Sequence, residues 1–256
     1  MTREWNSPYQ YKPFNDALIQ TGVSVETVPV EKASVFFSQL TSEVPTAWEV
    51  DLPVTRKDIP NGFDLWKYSG SSHTSVMSWN DTDYFTPVVT NNHGFRDNYR
   101  DSNLRNIRKA VNFGLTHEVV PANTNTGPLL ELFTQREELR GGIGQDVFNA
   151  LVPRLIANQA ADCHIVRLDK QIASVAVVIK SEDVANLRFV ASDPGLLHTR
   201  PVNFLYDCSI KHYFDRGFGR VDLSGTVPPT SNDPKLLNIS QFKYGFTRQI
   251  VTFNHL

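Results

Sequence analysis

The run at residues 172–179, IASVAVVI, constrains the fold more than any other stretch. It is almost entirely apolar and rich in β-branched residues, which suits a central strand buried on both faces. Polar turns flank it, Asp169-Lys170-Gln171 before and Ser181-Glu182-Asp183 after, and strand-like segments at 162–168 and 184–191 lie beyond them. Turns this short join antiparallel neighbours, so the three segments form a meander. A chain of 256 residues, 40% hydrophobic and 20% charged, can bury a sizeable core around it.

Helical periodicity brackets the meander. At 101–114, Leu104, Ile107 and Val111 share one stripe, Asp101 or Ser102 offers a cap, and Gly114 a stop. Arg105, Arg108 and Lys109 lie on another side and join Arg96 and Arg100 in a basic cluster. That cluster reads either as a solvated face or as an anion contact, arginine being suited to bidentate oxyanion binding. Pro128 opens a helix carrying Leu129, Leu132, Phe133 and Leu139, and another covers 146–158 with Pro153 inside it. At 202–216, Tyr206, Ile210, Tyr213 and Phe214 make the buried stripe and Gly217 the cap. A strand at 220–223, a polar loop, a short helix ending at Phe242-Lys243 and a strand at 248–253 follow.

Residues 1–95 are β-leaning, with strands expected at 23–30, 48–54, 63–68, 75–79 and 84–89 and a short helix at 32–40. The remainder, 96–256, is expected as an α/β (α+β) domain, a mixed, mostly antiparallel sheet flanked by helices. A crossover helix after the meander implies one parallel strand pair that splays open, a natural ligand slot.

Several function classes lose support. The net charge of −2 requires neither nucleic acid nor a membrane surface. Cys163 and Cys208 have no metal or redox spacing, so free thiols in a reducing compartment are expected. The segment MTREWNSPYQ has no apolar signal core, and no run approaches the ~18 apolar residues of a membrane span, so a cytoplasmic location and no membrane partner are expected. The histidines show no metal-ligand spacing, and no metal site is expected.

The element order, with the residues on it, resembles the GNAT acyltransferase fold, and more narrowly its FemAB/FemX-like branch. Arg105 to Ala110 with Gly114 resembles that family's R-x-x-x-K-A helix, and Asp169-Lys170 through Ala176 the hairpin into its central strand. Val221-Asp222-Leu223-Ser224-Gly225 resembles its F-D-x-x-G strand end, and Phe242-Lys243-x-Gly245-Phe246 its F-K-x-x-F/G signature. Members acting on peptidoglycan precursors usually carry two such domains, whereas this chain has room for one plus a β-rich part. Where CoA-using members carry a Q/R-x-x-G-x-G/A loop, this chain holds DPGLLHTR at 193–200, leaving Arg200 and helix-start amides for phosphate.

The resemblance implies direct N-acyl or N-aminoacyl transfer to an amine on a small molecule or peptide. No G-x-S-x-G or Cys-His pattern offers a covalent nucleophile. Lys243 is the implied oxyanion or phosphate cation, beside Phe242, and Asp222 the residue that orients the amine or acts as base. Ser224 and Tyr244 are candidate hydrogen-bond donors. Arg200, Arg105, Arg108 and Lys109 are candidate contacts for a phosphate or for the acceptor end of a tRNA. No tightly bound cofactor is expected; the donor is aminoacyl-tRNA or acyl-CoA, with the former favoured because the CoA loop is absent. The competing reading is a non-catalytic small-molecule or peptide-binding module that kept the fold.

Overall fold

A computed structural model describes residues 7–255, apart from 31–32, 41–44, 51–55, 59–60, 62, 74–82, 93, 122–123, 135–136 and 141. The N-terminal part holds α1 (Lys12–Gln20) and strands β1 (Val25–Val30), β2 (Ala33–Ser38), β3 (Thr46–Val50), β4 (Asp64–His73) and β5 (Asp83–Thr90). The helix expected at 32–40 is strand β2, which pairs with β1 along its whole length. Alternation decides it: Val35 and Phe37 are buried while Phe36, between them, is only half-buried. The strand expected at 75–79 lies outside the described residues.

Then come α2 (Asp101–Asn112), β6 (Thr116–Val120), α3 (Gly127–Leu130), α4 (Gln145–Ala157), β7 (Ala161–Leu168), β8 (Gln171–Lys180) and β9 (Val184–Ser192). The chain closes with α5 (Pro201–Asp215), β10 (Arg220–Asp222), α6 (Pro234–Lys243) and β11 (Gln249–His255). The helix expected after Pro128 breaks into the short α3 and two 3₁₀ turns. In α2 the buried positions are Asn103 and Ala110, with Leu104 and Ile107 partly buried, whereas Val111 is 56% exposed. The helix also starts earlier than expected: Asp101 and Ser102 lie inside it, and its N-cap is Arg100, with no side-chain bond.

The eleven strands among the described residues form one sheet in the order β1-β2-β3-β4-β11-β5-β10-β9-β8-β7-β6. The meander β7-β8-β9 is antiparallel, and β8 is buried along all but its ends. The C-terminal β11 runs antiparallel to both β4 and β5, joining the N-terminal strands to the rest. One core, with α1 and α4, includes Phe14, Leu151, Ile179 and Phe189. A second, with α2 and α5, includes Val178, Tyr206, Tyr213 and Phe246. Successive β8 residues Val177 and Val178 feed opposite cores, as the two-residue strand period requires.

The crossover through α5 makes β10 parallel to β9, but only Arg220–Asp222 pair, with Val184–Asn186. Beyond Asn186, β9 continues to Ser192 without β10, which has ended at Asp222. The sheet opens there.

Candidate active site

Three neighbouring strands each place one polar side chain at the opening. Asp222 of β10 is fully buried. Thr86 of β5 donates its hydroxyl to Asp222 Oδ1, and Asn186 of β9 donates Nδ2 to Oδ2 at 2.6 Å. The Ser224 backbone N–H adds a bond to Oδ1 at 2.7 Å. Burial pushes the Asp222 carboxyl up from the usual range, and these three donors together with the Lys243 cation hold it back.

Ser224 turns the chain. Its φ of 66° lies in the left-handed region that non-glycine residues rarely adopt. Its Oγ lies 3.0 Å from Asn186 Oδ1 and 2.9 Å from the Leu187 carbonyl, so the hydroxyl ties the turn to β9. Tyr9 donates its phenol to the same Asn186 oxygen at 3.1 Å. The carbonyls of Ser224 and Gly225 accept from Lys243 Nζ at 3.0 and 2.8 Å.

Lys243 ends α6 and is only 8% exposed. Its position is fixed by an aromatic cluster: Phe242, Phe246 and Tyr206 lie with ring centres 5.1–5.3 Å apart. Gly245 is required just after it, because a Cβ there would lie 2.5 Å from Asn103 Nδ2 and 2.9 Å from the Phe242 carbonyl. Burial lowers the Lys243 pKa to about 8, against the opposing pull of Asp222 and with Arg188 adding to the depression.

Two cavities, each of about 350 Å³, flank β9. One is the slot between β9, the start of α5 and the end of α6; Lys243, Phe242, Tyr206, Pro194 and Val202 line it. The other lies among α1, β2, β4, β5 and α4, and six of its thirteen described lining residues are aromatic. Arg188 lines both.

The sequence-derived candidates therefore divide. Lys243 and Phe242 line the slot; Ser224 and Asp222 stand behind Lys243 as its support, and Asp222 lines neither cavity. Tyr244 faces away, donating to Thr226 Oγ1 at 2.8 Å and lining a third cavity with Arg100. Arg200, at the start of α5, is exposed in a left-handed conformation (φ 64°) and lines none of these cavities. Arg105, Arg108 and Lys109 are exposed on α2, likewise away from the cavities. Arg96 leaves the basic cluster for a two-pronged pair with buried Asp207, at 2.7 Å on each arm.

Sequence reading missed Thr86, Asn186, Arg188 and Tyr9. The available signal was Asn186 and Arg188 within an otherwise apolar strand, where an amide or a guanidinium calls for a reason.

A second polar cluster lies on the α5 face. His117 Nε2 is 3.0 Å from His164 Nδ1, His164 Nε2 is 3.3 Å from the Tyr213 phenol, and that phenol donates to Asp162 at 2.9 Å. Ligating atoms of Asp162, His164 and His212 lie within 4.8 Å of one another, a grouping that linear spacing could not disclose. Lys180 holds the other Asp162 oxygen at 2.7 Å. Desolvation keeps His164 neutral, well below the usual histidine range, and lowers His117 to about 4. Cys163 is buried and Cys208 half-buried, both free.

The acetyltransferase (GNAT) domain family matches residues 97–233. The crystal structure of FemX superposes with a TM-score of 0.71 at 11% identity, covering 98% of this chain and 93% of that one. The C-terminal domain of a putative lysylphosphatidylglycerol synthetase from Agrobacterium fabrum follows at 0.57 and 11%, covering 95% and 88%. L-PGS from Bacillus licheniformis gives 0.52 at 11%, covering 98% and 93%. At these identities the likeness is one of fold, and with FemX it extends through the β-rich N-terminal part. No curated protein sequence matches the chain.

Proposed function

The chain belongs to the acetyltransferase (GNAT) domain family, and on that premise we propose that it transfers an aminoacyl group directly from an aminoacyl ester, such as aminoacyl-tRNA, to an amine. Its fold is that of an acyltransferase; the donor and the residue roles are the proposal.

The observation that carries it is Lys243. An ammonium has three donors, and two of them are spent on the Ser224 and Gly225 carbonyls. The third serves the slot that the side chain lines. A buried cation fixed in advance stabilises a developing oxyanion far better than a solvated one, because nothing must reorganise when the charge appears. Asp222 is a positioning residue in this reading. It holds the Ser224 turn and keeps Lys243 charged, and the carboxylate itself is enclosed.

The loop before α5 favours an ester donor over a CoA pyrophosphate. Three of its amides are already used: Gly195 N–H donates to Asp193 Oδ1 at 2.8 Å, and the Leu196 and Arg200 N–H groups donate to carbonyls of the same turn at 3.1 Å. The Asp193 carboxylate of this loop accepts from Gly195 N–H and from Gln171 Nε2, and its charge repels a phosphate nearby. The exposed Arg105, Arg108 and Lys109 are available for a few backbone phosphates of a tRNA end, a contact that weakens as salt rises.

The test is a donor comparison. Charged tRNA and acetyl- and longer acyl-CoAs are each incubated with the protein and a mixture of amines, and products are read by mass spectrometry. Transfer from charged tRNA, lowered about 10²–10³-fold in Lys243→Met, is expected. Transfer from acyl-CoA alone refutes the donor; transfer undiminished in Lys243→Met refutes the site. No product from either donor favours the binding-module reading.

A further inference from the structure

The polar cluster on the α5 face takes no part in the transfer reading: none of Asp162, His164 and His212 lines the Lys243 slot. Asp162 and His164 stand two residues apart on β7, so the strand period sends both to one face. His212 comes to that face from α5, which packs against β7. The ligating atoms of the three lie within 4.8 Å of one another. A tetrahedral ion with bonds of ~2.0–2.1 Å needs its ligand atoms roughly 3.4 Å apart, so closing the set asks for side-chain shifts on the order of 1 Å.

Two features separate this cluster from a closed hydrogen-bond network. His212 Nε2 is buried and has no hydrogen-bond partner among the described residues. Enclosing a ring nitrogen unpaired is costly, and a ligand on it removes the cost. His164, in turn, is anchored from behind. Its Nδ1 lies 3.0 Å from His117 Nε2 and 3.0 Å from Ser209 Oγ, while its Nε2 faces the Tyr213 phenol at a long 3.3 Å. That phenol donates to Asp162 Oδ2 at 2.9 Å, so His164 Nε2 and the Asp162 carboxylate flank one oxygen. A metal-bound imidazole ordinarily gives its other N–H to an outer partner that fixes the ring, and His164 Nδ1 has two within reach.

The donor set selects the ion. Two imidazole nitrogens and one carboxylate oxygen suit zinc and its transition-metal neighbours, with the fourth position left to water, whereas magnesium and calcium take oxygen ligands. Lys180 limits the strength. It pairs with Asp162 Oδ1 at 2.7 Å, so the carboxylate offers the ion one oxygen, and the ammonium repels the incoming charge. The Asp162 side chain is 16% exposed and His212 is half-buried, so the cluster lies just below the surface, within reach of an ion from solvent. We propose that Asp162, His164 and His212 bind one Zn²⁺ ion, with His117 and Ser209 orienting His164, and that the ion staples α5 to β7. No step of the transfer runs through it. The ion steadies the helix whose first turns, at Val202 and Tyr206, line the slot.

The test is calorimetric titration of ZnCl₂ into the full chain, stripped with EDTA and then dialysed into chelator-free buffer, with CoCl₂ as a spectroscopic probe. One ion per chain is expected with a Kd of about 1 μM, weaker than dedicated structural zinc sites because Lys180 shares the carboxylate. Co²⁺ should show the intense visible bands of a four-coordinate ion, and MgCl₂ should not bind. His212→Gln and Asp162→Asn should each lower Zn²⁺ affinity about a hundredfold or more and remove the zinc-dependent rise in Tm. His117→Gln, which loses only an outer partner, should lower affinity about tenfold. His255→Gln, on β11, should leave it unchanged. If His212→Gln fails to fold, the Co²⁺ spectrum of the native chain and the His117→Gln titration still decide. Zn²⁺ affinity unchanged in His212→Gln and Asp162→Asn, an octahedral Co²⁺ spectrum, or no saturable Zn²⁺ binding by about 100 μM overturns the proposal.

Discussion

Lys243 provides the sharpest physical test, because its burial makes folding stability depend on pH in a direction opposite to intuition. The amine titrates near 10.5 when solvated and near 8 in the folded chain. Between those values the unfolded chain holds a proton that the folded chain has released. Raising the pH then removes a cost borne only by the folded state, and stability rises. At about 1.4 kcal/mol per pH unit, the interval from 8 to 10.5 amounts to about 3 kcal/mol. Below pH 8 both states carry the proton and the term is constant. The perturbation is Lys243→Met, which keeps the stem and removes the titrating group. Urea unfolding of both proteins from pH 6 to 10.5 cancels the other groups in the difference. Wild-type stability minus that of the variant should be flat below pH 8 and then climb by about 3 kcal/mol. At pH 7 two effects oppose each other in the variant. Losing a buried cation stabilises, while leaving the Ser224 and Gly225 carbonyls without their donor costs about 1–3 kcal/mol. A difference that stays flat from pH 8 to 10 refutes the reasoning: the amine would then be solvated, and no preset cation would face the slot.

Two further outcomes follow from the second core. Acid should destabilise the protein through its histidines, since below about pH 6.5 the unfolded chain takes up protons that buried His164 and half-buried His117 refuse. For His117 the loss runs down to about pH 4 at up to about 1.4 kcal/mol per pH unit, and His117→Gln should flatten that part of a stability-versus-pH curve. Arg96→Ala should cost about 3–5 kcal/mol in urea unfolding, because it strands the Asp207 carboxylate, whose side chain is 3% exposed; Asp207→Asn with Arg96 intact should cost less, as Arg96 is 47% exposed and can rehydrate.

The parts legible in the sequence are those in which local pattern and environment agree. The run at 172–179 is buried on both faces because it lies mid-sheet between two short turns, and both facts are visible in one stretch of chain. Gly217 ends α5 with φ 86°, as its place after the apolar stripe foretold. What escaped depends on distant partners. Strand β2 carries residues that a helix could also use, and only its ladder with β1 decides. Asp207, Lys211 and Asp215 recur every four residues, the spacing of a surface charge ladder on α5, yet Arg96, over a hundred residues earlier, pairs with Asp207 in the interior. His117, His164 and His212 are far apart in the chain and meet because β6, β7 and α5 do.

The site follows the same division, and this explains why its cation was readable and its walls were not. Lys243 is set by its own neighbours: α6 ends there, Phe242 and Phe246 anchor either side, and Gly245 removes the clash. The aromatic-lined cavity is built by α1, β2, β4, β5 and β9, elements far apart along the chain. Thr86 reaches Asp222 only because β10 pairs with β5, and β5 reaches the opening only because β11 lies between it and β4. A short β10 is the geometric condition for all of it. Had β10 continued along β9 past Asn186, backbone pairing would close the gap that Lys243 enters, and Arg188 would not line two cavities. The left-handed Ser224 ends the strand at that point, and its hydroxyl, bonded to β9, fixes how far the sheet opens. On the other face of β9 the N-terminal strands bring Phe36, Trp66 and Tyr84 into the cavity that Arg188 also lines, and no stretch of sequence holds those three together.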